Sequence, residues 1–572
     1  MVSSQSPGTS LLSGSLILAA CCTALSAAPP APPKAESIFP LGANPGVTFE
    51  AVIRGSALKG AYAIWFEQPG ATAKVIAVDA EPGSGDAKRK PADLLRVEVQ
   101  VDPAVKGSSR SFRVLTPGGV SNSMRLFVHS EPSLPESANP HDLPTQAQPL
   151  PNLPVAVQGK IAQVGEVDFY SFRATAGEEL TFITTSSNAL DPGLAIYKPG
   201  GSWFDPGRPT RLAFTDEPVS YPDLSTEAVL TYRFKEAGEY FVRVNGFWGH
   251  GGAGQEYVLR VMRGAAPQHA DEPGESRWTE RKWTRGLSAD RMRDLSARAL
   301  PSLAAAAQPI PMVDADAEPT AVPVEPPKIQ LPAMVTGSIE RPGDIDRVRF
   351  SVKEGDRIAL EIETPEKTLP LLNPYLRIVD AEGVEAFTNV LSLLNSNSNV
   401  SKQIHPKTQY TFPRAGDFTL EIRDITASYG DTRMKYKVLV RPQVPHLGEV
   451  KVNVDCLNLE AGKAQKVSIV TDQEEGFDGY VILSMEGLPE GVRAVPATEV
   501  DPDSPPQQSM GKRERFTTKN QKATLVLAPE ASAPATRMPV MGRIYAQPVV
   551  KGELGTRFLV KEIPVMVVKA AS

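Results

Sequence analysis

One stretch of this chain occurs twice. LPVAVQGKIAQVGEVDFYSFRATAGEEL, from Leu153 to Leu180, aligns without a gap on LPAMVTGSIERPGDIDRVRFSVKEGDRI, from Leu331 to Ile358, at an offset of 178 residues (331 − 153). The same offset carries YRFKEAGEYFVRV at Tyr232 onto YTFPRAGDFTLEI at Tyr410, and DPGLAIYKPGG from Asp191 parallels NPYLRIVDAEG from Asn373. Two copies of one unit argue against a single catalytic domain spread over the chain. Apolar and polar residues alternate over Asp346 to Phe350 and over Phe418 to Ile422, the period of a strand with one buried face. Ala176-Gly177, Ala237-Gly238, Glu354-Gly355 and Ala415-Gly416 put a glycine at the turns, where a positive φ is expected between two antiparallel strands. Each copy reads as a small antiparallel sandwich.

The 572 residues are enough for about three to five domains, and 53 Pro with 44 Gly favour short strands over long helices. The net charge is −6, with basic residues interspersed among acidic ones, so no nucleic-acid partner is expected. The one basic cluster, Arg277 to Arg293, shares its stretch with Glu and Asp and reads as a solvated linker face.

The repeats resemble the bacterial pre-peptidase C-terminal domain, a jelly-roll-like β-sandwich appended to secreted enzymes and surface proteins. The resemblance rests on the opening G-x-[IV]-x-x-x-G-[DE]-x-D-x-[YVF]-x-F, here Gly159 to Phe172 and Gly337 to Phe350. It rests also on the later AG-[DE]-[YF] strand pairs and on the closing strands that begin at Tyr257 and Tyr436. The copies are placed at 139–263 and 326–441, with a linker at 264–325 that carries a short apolar stripe over Leu287 to Leu300 before Pro301. That stripe either docks on a sandwich or remains a transient helix. The family's members are mostly accessory modules, so the resemblance implies a fold more than a role.

Residues 38–130, with PLGANPGVT from Pro40 and SFRVLTPGGVSNS from Ser111, resemble an IPT/TIG-type immunoglobulin-like domain. Residues 447–570, with GLPEGV from Gly487, resemble the immunoglobulin-like domains of bacterial surface proteins. Their last strand, Leu559 to Val568, contains Pro564 and is expected at a sheet edge. The fold class is therefore all-β: tandem β-sandwich modules, Ig-like and jelly-roll-like, joined by Pro/Ala-rich linkers.

Residues 1–28 read as an export signal, although no Lys or Arg precedes the apolar run from Leu11. Leu18-Ala19-Ala20-Cys21 resembles a lipobox, which would make Cys21 a lipidation site; alternatively Cys21 belongs to the core of an ordinary signal. Cys456 is then left without a cysteine to pair with in the folded modules and reads as a small buried apolar residue rather than a nucleophile.

No P-loop, H-E-x-x-H, G-x-S-x-G or C-x-x-C occurs, and Gly249 to Gly254, which fits G-x-G-x-x-G, leads into a strand rather than a helix. Two constellations remain. Asp168 with Glu166, and Asp346 with Asp344, either present oxygens to a calcium ion or accept from turn amides. The resemblance implies calcium binding for some members, chiefly through an acidic N-terminal segment, which here is Glu136 to Asn139, with Asp314 to Glu318 in a similar place in the second copy. Trp203 and Trp248, in glycine-rich loops, either form an aromatic platform for a ligand or cover the end of their own core. The expectation is a non-enzymatic, exported protein, periplasmic, at the cell surface or secreted. It would bind an extracellular polymer or a surface protein and meet a membrane only through a lipid anchor. The alternative is an accessory component of a secreted peptidase or polysaccharide hydrolase.

Overall fold

The computed structural model describes residues 30–81, 91–105, 109–186, 190–200, 209–215, 227–246, 249–264, 292, 295, 298, 310–316, 325–364, 372–394, 400–428, 430–495, 497–498, 507–508 and 518–569. These form four β-sandwiches, and among them no helix is long and apolar enough to cross a membrane.

The first sandwich pairs a sheet ordered Lys34–Phe39, Thr48–Ser56, Asp93–Val101, Ala71–Ala80 with one ordered Gly42–Ala43, Met124–Val128, Ser109–Thr116, Ala63–Phe66. The alternation in Asp93–Val101 sends Leu95, Val97, Val99 and Val101 into the core and leaves Arg96, Glu98 and Gln100 outside.

The two repeats share one topology. In the first, Val155–Lys160, Glu256–Arg263, Glu179–Ser186 and Glu227–Arg233 form one sheet, and Val167–Ala174, Gly238–Gly246, Pro192–Lys198 and Thr210–Thr215 form the other. In the second, Ala333–Ser338, Lys435–Pro442, Arg357–Glu363 and Lys407–Thr411 face Asp346–Val352, Gly416–Asp424, Pro374–Val379 and Glu385–Thr388. The glycine turns differ from expectation, because they carry the chain between sheets and are not hairpins. Val167–Ala174 and Glu179–Ser186, on either side of Gly177, belong to opposite sheets. Gly177 and Gly355 have φ of 82° and 85°, whereas Gly238 simply begins a strand. Buried aromatics fill both cores, Phe172 against Phe182 and Phe234 in one, Phe350 against Phe412 in the other. Each such side chain contributes roughly 1.5–3 kcal/mol on burial.

In the last sandwich Gln465–Glu474 pairs with Thr518–Pro529, and Val540–Val550 lies between Tyr480–Glu486 and Phe558–Val568. Phe558–Val568 is not an edge strand, since Leu457–Glu460 runs parallel to its far side. Pro564 is tolerated because that pairing begins only at Val565, so the proline faces no strand there.

The order of contact in space differs from the order in sequence. The first repeat packs on the first sandwich: Ala156 and Val258 join that module's core, and Gly42 N donates to Gln158 Oε1 at 3.1 Å. The first sandwich packs in turn on the last, where Arg113 grips Asp455 at 2.9 and 3.1 Å. There Asn458 also accepts from Val120 N at 2.8 Å and donates to Val120 O at 2.9 Å. The last sandwich packs on the second repeat through Arg441, fully buried between Glu361 and Glu475. Cys456 lies half-buried at the seam between first and last modules, beside Val120 and Met566, and burial pushes its thiol up to about 11. Within the expected linker stripe, Leu295 is buried against Val444, and Met292 packs against both Leu295 and the second repeat.

Candidate functional site

The opening motif of each repeat builds one buried constellation. Gly159 and Gly337 stand where the ring of a closing-strand tyrosine crosses the sheet, and a Cβ at either would lie closer than 3.0 Å to Tyr257 or Tyr436. The hydroxyl beneath which they make room donates to the motif's second acid: Tyr257 to Asp168 Oδ2 at 2.6 Å, Tyr436 to Asp346 Oδ2 at 2.5 Å. The motif's first acid does a different task, capping the preceding turn, with Glu166 accepting from Gln163 N at 2.6 Å and Asp344 from Glu340 N at 2.9 Å. Turn amides therefore bind Glu166 and Asp344, while Asp168 and Asp346 are held by tyrosines.

The first repeat adds groups that the second lacks. Tyr170 donates to Tyr257 at 2.5 Å, extending the hydrogen-bonded line Tyr170, Tyr257, Asp168; the second repeat has Val348 in that place. His141 reaches the same spot from the segment before the first long strand, its Nε2 3.5 Å from Asp168 Oδ1 and 3.4 Å from Glu136 Oε1. Its Nδ1 lies 3.1 Å from Asn139 O, so Nδ1–H donates there and Nε2 faces the two carboxylates. The Glu136 carboxylate raises the histidine's pKa, and burial raises that of Asp168. Asp168 Oδ1 and His141 Nε2 are both buried without a well-formed hydrogen bond. In the second repeat burial likewise lifts Asp346, to about 7. Asp316 there takes Ser338 N at 2.9 Å and Ser338 Oγ at 2.7 Å and so is already satisfied.

These donors can be weighed against a divalent ion. Ligand atoms within 4.8 Å of one another converge on Asp168 twice among the described residues, once with Glu136 and His141 and once with Asp142 and Glu166; no such trio forms around Asp346 or Asp344. Carboxylate oxygens of Asp142, Glu166 and Asp168 suit calcium, and the imidazole is a donor of the kind zinc takes. The first repeat thus fits a divalent cation at its opening strand, and the second does not gather the donors. Trp203, Trp248 and Cys21 lie outside the described residues. His141 and Asp142 were the members that sequence reasoning missed. The signal was a run of polar residues, Glu136 to Asp142, ahead of the motif that contains Asp168, but nothing local says that the segment folds back onto it.

No protein-family model matches the chain, and no curated relative matches it. Among solved structures it is similar to the pre-peptidase C-terminal domain of a collagenase from Bacillus anthracis, at 14% identity over 21% of this chain and 100% of that one, with a TM-score of 0.15. It is also similar to PliG of Aeromonas hydrophila, a periplasmic inhibitor of g-type lysozyme, at 11% identity over 23% of this chain and 98% of that one (TM-score 0.14). A third is the surface layer protein SbsC, at 10% identity over 95% of this chain and 55% of that one (TM-score 0.14). Scores this low carry no weight for function, and the sandwich description rests on the chain's own strands and cores.

Proposed function

We propose that this is a non-catalytic, exported binding or scaffolding protein of the cell surface, which holds an extracellular polymer or a partner protein on its sandwich modules. The observation that carries the reading is the arrangement of the repeats. Each packs one sheet on an Ig-like neighbour and keeps its other sheet off that contact, and the two Ig-like modules lock together between them. Such a body offers two separate sheet faces on one chain, so weak contacts at both add through effective concentration. Residues 1–28 would direct export, with Cys21 the point of attachment if the protein is a lipoprotein. The second reading, an accessory part of a secreted hydrolase, uses the same faces to bring an enzyme to its polymer. The purified full chain, incubated with peptide and polysaccharide substrates, is expected to release no product while sedimenting with a polymer or cell-wall fraction. Intrinsic turnover would overturn the reading.

A further inference from the structure

The outward sheets of the two repeats have the same register and opposite chemistry. In the second repeat, Arg347 and Arg377 flank Glu421 and bond both of its oxygens, at 3.0 and 2.9 Å, so both arginines of this ladder already hold a carboxylate. The corresponding row of the first repeat, paired Phe169, Arg243, Ala195, Phe214, keeps an arginine and has no carboxylate. Arg243 sits with its guanidinium carbon 5.6 Å above the ring of Tyr197, which itself packs on Phe169 at 5.8 Å. Its Nε is buried with no hydrogen-bond partner among the described residues. On the edge strand Arg211 lies over Phe214, at 5.3 Å, and Phe214 is 42% exposed. Along these rows the described strand residues offer one acid, Glu239, in register with Arg173.

We infer that this outer face of the first repeat, at Arg243, Arg211, Tyr197 and Phe214, binds an acidic polysaccharide, a polymer of uronic-acid type. This deepens the polymer-binding reading and rests on it. A guanidinium beside an aromatic ring can still offer N–H groups to a carboxylate, the bidentate partner that its planar geometry favours, and Arg211 is exposed to do so. The aromatic faces beside them take the apolar face of a pyranose ring at low entropic cost. A sheet face whose described strand residues carry arginines and a single acid, Glu239, suits a ligand that repeats both features along its length. Arg347, Glu421 and Arg377 supply the internal control, since the same scaffold there has already satisfied its own charges.

The test uses the full chain in affinity electrophoresis through gels containing polygalacturonate, alginate, dextran or poly-glutamate. Retardation is expected in the two polyuronates and not in neutral dextran. Arg243→Ala should weaken it by roughly tenfold, the loss of one charge-assisted pair, Tyr197→Ala should weaken it too, and Arg377→Ala should leave it unchanged. Arg211→Ala, on an exposed edge strand, serves as the second variant should Arg243→Ala melt early by circular dichroism. Mobility unaffected by either polyuronate overturns the inference, as does binding untouched by both arginine variants. Equal retardation by poly-glutamate, or sedimentation showing that the face pairs two copies of this chain, overturns it as well. None of these outcomes bears on catalysis, so the wider reading fails only through turnover.

Discussion

The conserved geometry of the two repeats comes down to a glycine that must be a glycine and an acid that must be buried. Gly337→Ala places a methyl group against Tyr436 and Asp316, and overpacking of this kind costs about 1–3 kcal/mol; the second repeat should unfold at correspondingly lower urea. Asp346 gives a pH signature. Burial raises its carboxyl to about 7, against ~3.9 in the unfolded chain. Across that window the folded form holds a proton that the unfolded form has released, so stability falls as pH rises from about 4 to about 7. Asp346→Asn cannot titrate, and urea midpoints measured at the two ends of the window should then differ less than in the wild type. An unchanged slope would assign the dependence to other groups. At this scale much was legible. The motif located the acid in both copies and the tyrosine that opens each closing strand, but it read the acid as a calcium ligand or an acceptor for turn amides, whereas a tyrosine holds it. What sequence could not supply was the donor: Asp168 and Tyr257 are distant in the chain and lie in opposite sheets, and only the face-to-face packing of Val167–Ala174 on Glu256–Arg263 brings them together.

At the scale of elements, strands were readable and their neighbours less so. Alternation located Asp346–Val352 and Gly416–Asp424, but the turn glycines did not reveal that the chain changes sheet at Gly177, since hairpins and sheet-crossing turns ask the same φ of a glycine. The repeats also diverge where local pattern is silent. His141, Asp142 and Glu136 converge on Asp168 alone, so calcium should raise the melting of the first repeat and leave the second unmoved, with chelator reversing the shift in calorimetry. Asp168→Asn should abolish the response and Asp346→Asn should keep it. At the junction of the second repeat with the last module, Arg441 is fully buried between two glutamates. Arg441→Ala takes the arginine from both buried carboxylates, leaving Glu475 with Lys407 and Val444 N, and should cost roughly 3–5 kcal/mol. Replacing all three residues together by Arg441→Met, Glu361→Leu and Glu475→Leu should restore most of that loss, because removing the charges also removes their desolvation.

The whole molecule is decided by contacts that join its two ends. Four cores, of which that of the first sandwich takes in only Ala156 and Val258 from its neighbour, mean that each module is built largely on its own apolar residues, and composition alone leaves open a rod, a string or a closed body. The closure is carried by few residues: Arg113 with Asp455, Ser123 N donating to Asp455 at 2.8 Å, and Asn458 with Val120, around the apolar contact of Leu115, Val120 and Met566. Most of these are polar groups whose partners lie more than 330 residues away, so no local signal marks them. Such a clasp is intramolecular and therefore holds at modest intrinsic strength, because the chain that links the repeats keeps its halves at high effective concentration. Asp455→Ala with Asn458→Ala removes the acceptors of Arg113, Ser123 and Val120 N while leaving every module core intact. In small-angle scattering the double variant should show a larger radius of gyration and maximum dimension, with circular dichroism unchanged. Each half, one Ig-like module with its repeat, stays joined through its own buried junction, Arg260 with Glu131 in one and Arg441 with Glu475 in the other. The scattering curve should accordingly fit two bodies rather than four. An unchanged envelope would mean that the contacts left in place, Tyr62 with Arg537 and the apolar contact at Met566, close the molecule, and Met566→Asp with Tyr62→Ala would then be the substitutions that open it.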